Sequence, residues 1–89
     1  LEELFEVIEN RKANPVPGSY TNYLLEKGVE KICKKVGEEA SETIIAAVKG
    51  SNDEVRYEAS DLLYHLMVLI ANQGMRPEEL YDELRSRRS

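Results

Sequence analysis

Apolar residues recur at helical spacing along almost the whole chain. The N-terminal ones are spaced i, i+3, i+4, i+7: Leu1, Leu4, Phe5 and Ile8. This spacing predicts an amphipathic helix up to about residue 11. Residues 13–19 contain two prolines and a glycine and are expected to form a loop. Thr21 is the expected N-cap of a short helix that Gly28 ends.

The middle of the chain predicts two long helices. One apolar stripe runs through residues 29–48 and indicates a helix of about 20 residues that Gly50 ends. Ser51 and Glu54 then have the S-x-x-E spacing of a capping box, which marks the start of the next helix. That helix carries apolar residues at helical spacing through residues 55–70.

The short link at residues 50–52 requires the two long helices to pair as an antiparallel hairpin. Pro77 suits the first turn of a last helix, and no strand pattern competes. We therefore expect one all-α domain over residues 1–89, with short helices flanking the hairpin. The two apolar stripes exceed what one hairpin covers, so we expect a homodimer with a four-helix-bundle-like core.

The charge of the chain narrows its partners. The net charge is −5, which argues against nucleic-acid binding, and no apolar segment is long enough to span a membrane. Cys33 is the single cysteine, so an intrachain disulfide is excluded. We expect Cys33 to be a small buried residue. No charged-then-apolar leader precedes the helices, and a cytoplasmic location is expected.

Two acidic pairs stand out on the long helices. Glu39 and Glu42 are spaced i, i+3 on the first, and Glu58 and Asp61 are spaced i, i+3 on the second. Each pair borders the apolar stripe of its helix, and antiparallel pairing across Gly50 brings the two pairs nearly level. Four converging carboxylates repel one another unless a cation neutralises them, and such ligands suit Mg²⁺ or Mn²⁺. Alternatively, the same residues form a solvated face.

Basic residues and one histidine share these faces. Lys31 and Lys35 lie one to two turns from Glu39, within reach of phosphates bound to a metal there. The alternative is an ion pair of Lys35 with Glu39. His65 lies in line with the acidic pair of its helix and is more often a structural, hydrogen-bonded histidine than a ligand.

The acidic residues read E-E-x-x-E, a spacer and E-x-x-D. This pattern resembles the signature of the all-α nucleotide pyrophosphatases, the superfamily of MazG proteins and dimeric dUTPases. Within that superfamily, three stretches resemble the phosphoribosyl-ATP pyrophosphatase family. They are SYTNYLLEKG at 19–28, EKICKKVGEEASETIIAA at 30–47 and EASDLLYHLMVLI at 58–70.

The resemblance implies an α-helical homodimer that hydrolyses phosphoribosyl-ATP to phosphoribosyl-AMP and pyrophosphate with Mg²⁺, the second step of histidine biosynthesis. Glu39, Glu42, Glu58 and Asp61 match the metal-ligand positions of that family. Glu38 matches the remaining acidic position, and its role is open between metal ligand and catalytic residue that orients water.

Two other functions stay open from the sequence. A MazG-type pyrophosphatase would use the same metal site on other nucleotides. A non-enzymatic helical dimerisation module would carry the same acidic residues merely as a solvated face.

Overall fold

The computed structural model describes residues 1–88 and contains five helices. They are α1 (Glu2–Ala13), α2 (Tyr20–Lys27), α3 (Val29–Lys49), α4 (Asn52–Asn72) and α5 (Pro77–Ser86). No strand occurs among these residues, which confirms the all-α class predicted from helical spacing. None of the helices in this range is long and apolar enough to cross a membrane.

The helix ends lie close to the predicted positions, with one correction. Ser19, not Thr21, is the N-cap of α2, and its Oγ accepts a hydrogen bond from the Asn22 amide at 3.2 Å. Thr21 lies inside the helix, where it is buried and its hydroxyl is hydrogen-bonded to that of Tyr64. Gly28 ends α2 with φ +92°, a conformation that side chains disfavour.

The hairpin of α3 and α4 forms the centre of the molecule. Gly50 ends α3 in the left-handed conformation, and the Ser51 amide donates back to the Ala46 carbonyl at 3.1 Å. Only half of the predicted capping box forms. The Ser51 hydroxyl accepts a hydrogen bond from the Glu54 amide at 3.3 Å. The Glu54 carboxylate turns instead to Lys49, 2.7 Å away, which lowers the pKa of Glu54.

The hydrophobic core covers one side of the hairpin. α1 packs against α4 and α2, and α2 packs against both α3 and α4. The buried core residues are Phe5, Ile8, Leu24, Ile32, Met67, Val68, Ile70 and Ala71. Lys12 of α1 donates to the Ala71 carbonyl at 2.9 Å and so satisfies a carbonyl in the last turn of α4.

The other side of the hairpin is uncovered and apolar. Ile44 of α3 is 62% exposed and Val48 is 84% exposed, and Leu63 of α4 is 42% exposed. Cys33 belongs to the exposed residues of α3, so the expectation that it is buried is wrong for the single chain.

Candidate metal centre between the two long helices

Three carboxylates meet where α3 faces α4. Glu39 from α3 and Glu58 and Asp61 from α4 each offer one oxygen, and these oxygens lie within 4.8 Å of one another. The i, i+3 spacing places Glu58 and Asp61 on one face of α4, one turn apart. Antiparallel pairing across Gly50 then brings Glu39 level with them. The predicted convergence of the two helices therefore holds for three of the four carboxylates.

The buried oxygens in this group are suited to a cation. Glu39 is only 5% exposed, although it carries a carboxylate. Its Oε1 and the Oε1 of Glu58 are fully buried, and neither has a hydrogen-bond partner within residues 1–88. Burying such oxygens without a partner is costly. Carboxylate oxygens around one octahedral Mg²⁺ lie about 3 to 4 Å apart, so a small side-chain adjustment suffices to bind it.

Glu42 lies at the edge of the group, not within it. Its side chain is exposed, but with Glu58 it lines a cavity of about 170 Å³. Burial raises the pKa of Glu58, and the neighbouring carboxylates of Glu42 and Asp61 raise it further. The electrostatic repulsion predicted for clustered carboxylates therefore contributes to the raised pKa of Glu58.

Glu38 and Lys35 form a half-exposed pair beside the cluster. The Lys35 Nζ lies 3.4 Å from Glu38 Oε1, so the ion pair with Glu39 that the spacing allowed is made with Glu38 instead. Partial burial lowers the pKa of Lys35, but its hydrogen bond to Glu38 and the charge of Glu39 outweigh this and leave the pKa raised. Lys35 is therefore a permanent cation next to the carboxylates.

Lys31 lies farther from the carboxylates than Lys35. Its Nζ is 5.9 Å from the centre of the Tyr23 ring, and Lys27 approaches the same ring at 5.8 Å. These distances correspond to cation–π contacts. The two predicted phosphate-binding lysines thus have different neighbours: carboxylates for Lys35 and an aromatic ring for Lys31.

His65 links the carboxylates to α2. Its Nδ1 lies 2.9 Å from the carbonyl oxygen of Asp61. A carbonyl can only accept, so Nδ1 carries the hydrogen, and in the neutral imidazole ring Nε2 is then an acceptor. Tyr20 therefore donates its hydroxyl hydrogen to Nε2, at 2.9 Å. The Glu39 Oε1 lies 2.7 Å from Nδ1, but the N–H is directed at the Asp61 carbonyl.

The sequence favoured a structural, hydrogen-bonded His65, and its hydrogen bonds confirm this. The contact between His65 and Glu39 was not predicted. Tyr20 was not predicted at this site, because its distance along the chain from His65 hides their contact. Burial raises the pKa of the Tyr20 hydroxyl, although Lys35 opposes this, so Tyr20 stays a donor at neutral pH.

Comparisons with known proteins identify relatives of this chain. A family model described as phosphoribosyl-ATP pyrophosphohydrolase matches residues 1–88. The phosphoribosyl-ATP pyrophosphatase of Limosilactobacillus fermentum is 52% identical over 87 residues, which cover 98% of this chain and 82% of that protein. The protein of the same name from Leuconostoc mesenteroides is 54% identical over 87 residues, with 98% and 75% covered.

Longer proteins contain a similar region. The histidine biosynthesis bifunctional protein HisIE of Caldanaerobacter subterraneus is 56% identical over 87 residues, or 98% of this chain. The chain spans 42% of the length of that relative, and 38% of the HisIE protein of Thermoanaerobacter pseudethanolicus.

Proposed function

Since this chain belongs to the phosphoribosyl-ATP pyrophosphohydrolase family, we propose that it hydrolyses phosphoribosyl-ATP to phosphoribosyl-AMP and pyrophosphate, the second step of histidine biosynthesis. The observation that supports this most is the meeting of Glu39, Glu58 and Asp61 between α3 and α4. Hydrolysis between the α and β phosphates needs little covalent work from a protein. It needs charge neutralisation and a positioned water.

Mg²⁺, or Mn²⁺ in its place, fits the carboxylates as their cofactor. Glu39, Glu58 and Asp61 would hold it, and Glu42 at the edge of the group is the fourth proposed ligand. When bound, the ion would neutralise phosphate charge in a protein that itself carries a net charge of −5. The buried unpartnered oxygens of Glu39 and Glu58 support this assignment.

The remaining charged residues serve the phosphates and the water. Lys35, which stays protonated, and Lys31 supply the cations for phosphate oxygens. Glu38 is half exposed beside the cluster, where it can accept a proton from the attacking water. The water oxygen bonds to phosphorus, the phosphoric anhydride bond breaks, and its electrons leave with pyrophosphate. One proton is released overall.

A second copy of the chain is the proposed partner. α3 exposes several large apolar residues, including Ile44 and Val48. Surface apolar residues of a monomer are usually scattered singly, so a group of them indicates an interaction site. Pairing of two hairpins through this face would bury them in a four-helix-bundle-like core of a homodimer. The cytoplasm stays the expected location, and residues 1–89 stay the proposed single domain.

A MazG-type pyrophosphatase with another nucleotide specificity is the main alternative. To decide between them, the purified chain is assayed with phosphoribosyl-ATP and a panel of nucleoside triphosphates, with Mg²⁺ and with chelator. We expect pyrophosphate release from phosphoribosyl-ATP only with the metal. Faster release from an ordinary triphosphate would support the alternative, and no release from any nucleotide would support a dimerisation module.

A further inference from the structure

A cavity lies at the turn that connects α1 to α2, and Tyr20 in its wall is hydrogen-bonded to His65 of the metal centre. Its volume is about 550 Å³, which is in the range of small-molecule binding pockets. Its walls are mostly apolar and aromatic: Pro15, Val16, Pro17, Tyr20 and Tyr23. No residue assigned so far to the metal or to water lines it.

The cavity is held open by hydrogen bonds within its own wall. The Asn22 side chain accepts from the Val16 amide at 2.8 Å and donates to the Arg11 carbonyl at 2.7 Å. The backbone N–H of Asn22 in turn donates to the Oγ of Ser19, the N-cap of α2. The proline-containing turn is thereby fixed to both α1 and α2. A site formed in advance does not spend binding energy on ordering its loop.

Two aromatic rings form one side of this cavity. The Tyr20 and Tyr23 ring centres lie 6.1 Å apart with 23° between their planes. Tyr20 is 45% exposed, Tyr23 is 41% exposed, and Val16, which also lines the cavity, is 43% exposed. A planar heterocycle would cover these ring faces and remove apolar surface from water.

The cavity and the carboxylates share one connecting residue. The Tyr20 hydroxyl is bonded to His65, and the other nitrogen of His65 contacts Glu39. Only one imidazole ring therefore separates the cavity wall from the metal cluster. A nucleotide whose phosphates lie at the carboxylates has its base within reach of the tyrosines.

Charges of both signs occur near the cavity. The Nζ atoms of Lys27 and Lys31 lie over the Tyr23 ring, 5.8 and 5.9 Å from its centre, and Glu26 is the charged residue among those that line the cavity. Phosphoribosyl-ATP carries a phosphoribosyl group on its base as well as the triphosphate, so a second phosphate has to be accommodated near the base. Two lysines there provide the charge for it.

We propose that this cavity binds the purine ring of the nucleotide substrate by stacking on Tyr20 and Tyr23, with Lys27 and Lys31 next to the phosphoribosyl group. The inference rests on the proposed hydrolysis of phosphoribosyl-ATP. It assigns base recognition to the α1–α2 turn and phosphate chemistry to the α3–α4 cleft.

The test replaces Tyr23 and compares a ligand that has a base with one that lacks it. Tyr23→Ala removes the ring, and Tyr23→Phe keeps it as the matched control. AMP and ribose 5-phosphate are titrated calorimetrically into each variant. We expect Tyr23→Ala to weaken AMP binding about 10- to 100-fold, the range of one base–aromatic stack, with Tyr23→Phe near wild type. Ribose 5-phosphate affinity should be equal in all three proteins.

Val16→Asp is a second variant, because Val16 lies outside the helices and its exposed side chain tolerates replacement. It places a carboxylate in the cavity and should also weaken AMP binding. Unchanged AMP affinity in Tyr23→Ala and Val16→Asp would overturn the proposal. So would a loss of dimer in sedimentation that accompanies the loss of AMP binding, because a second copy would then occupy the cavity.

Hydrolysis of phosphoribosyl-ATP separates this proposal from the proposed function. If the wild type hydrolyses it and Tyr23→Ala has the same KM, the function stands and the base site is wrong. If AMP binding depends on Tyr23 but no phosphoribosyl-ATP is hydrolysed, the base site stands and the function is wrong.

Discussion

The two sides of the α3–α4 hairpin contrast sharply. On one side, the Glu39 carboxylate is almost completely buried, next to the carboxylates of Glu58 and Asp61. On the other side, Ile44 and Val48 of the same helix are largely exposed to solvent. A charged group inside and apolar groups outside reverse the usual distribution in a folded chain.

The contrast shows that each side lacks a different partner. Buried carboxylates at short distance are stabilised by a cation, and a continuous apolar face is stabilised by another apolar face. One helix thus serves two purposes, because its 3.6-residue period separates the two sets of side chains. Substitutions on the two sides should therefore have separable effects.

Replacement of Glu39 by glutamine should have the largest effect. Glu39→Gln keeps the shape but removes one ligand oxygen, so we expect pyrophosphate release to fall by about 1000-fold or more. In chelator, the variant should unfold at a higher temperature than wild type, by about 4–8 °C for 1 kcal/mol of relieved repulsion. Asp61→Asn should behave in the same way.

Melting curves with Mg²⁺ and with chelator, measured beside activity, check this prediction. Glu30→Gln, in the first turn of α3, is the control for loss of one charge: its activity should be unchanged, and its melting temperature should fall slightly, because a carboxylate is favourable at a helix N-terminus. A Glu39→Gln protein that is less stable than wild type in chelator and still active would contradict the metal site.

The apolar side is tested by a charge at its centre. Ile44→Glu should raise the dimer dissociation constant about 100- to 1000-fold, because burying an unpaired carboxylate costs several kcal/mol. Val7→Glu on α1 is the matched control, since Val7 is exposed to a similar degree. Sedimentation velocity over a micromolar concentration series measures the change. A wild type that is a stable monomer would refute the proposed dimer.

Within the cleft, His65 is expected to hold the metal ligands in place, because its Nδ1–H is hydrogen-bonded to the Asp61 carbonyl and the same nitrogen contacts Glu39. In His65→Asn, the side-chain amide reaches about where Nδ1–H lies, whereas in His65→Gln it extends toward Tyr20. We therefore expect Mn²⁺ affinity to be nearly kept in His65→Asn and to fall about 10- to 100-fold in His65→Gln. Titration of free Mn²⁺ by electron paramagnetic resonance distinguishes them. Equal affinities would mean that His65 only fills the core.

The helices, and the similar height of the two acidic pairs along the hairpin, could be predicted from local sequence patterns. Periodicity, Gly50 and the S-x-x-E spacing depend on neighbours in the chain, and these are visible in a sequence. The burial of Glu39 and the role of Tyr20 were not predictable, because they depend on how α2 packs across the hairpin. Helix angles placed Glu39 at the border of its stripe, and only tertiary contacts decide which side of that border is covered.

The same reasoning explains the errors at two small residues. Thr21 suited an N-cap by type, but Ser19 stands at the position that reaches the Asn22 amide. Cys33 suited a core position by type, but its position on α3 is left exposed in the single chain.

The smallest expected effect is that of Lys35→Ala, at the rim of the cleft. Its ion pair with Glu38 is half exposed, and such pairs contribute at most about 1 kcal/mol to stability, so the melting temperature should change little. The raised pKa of Lys35 keeps it charged at neutral pH, available to phosphate oxygens. We expect KM for phosphoribosyl-ATP to rise about 5- to 10-fold, which corresponds to roughly 1 kcal/mol of lost phosphate binding. The adjacent Lys34→Ala, on the exposed side of α3, should leave KM unchanged. If both variants match the wild type in KM and turnover, Lys35 is only a surface ion-pair residue.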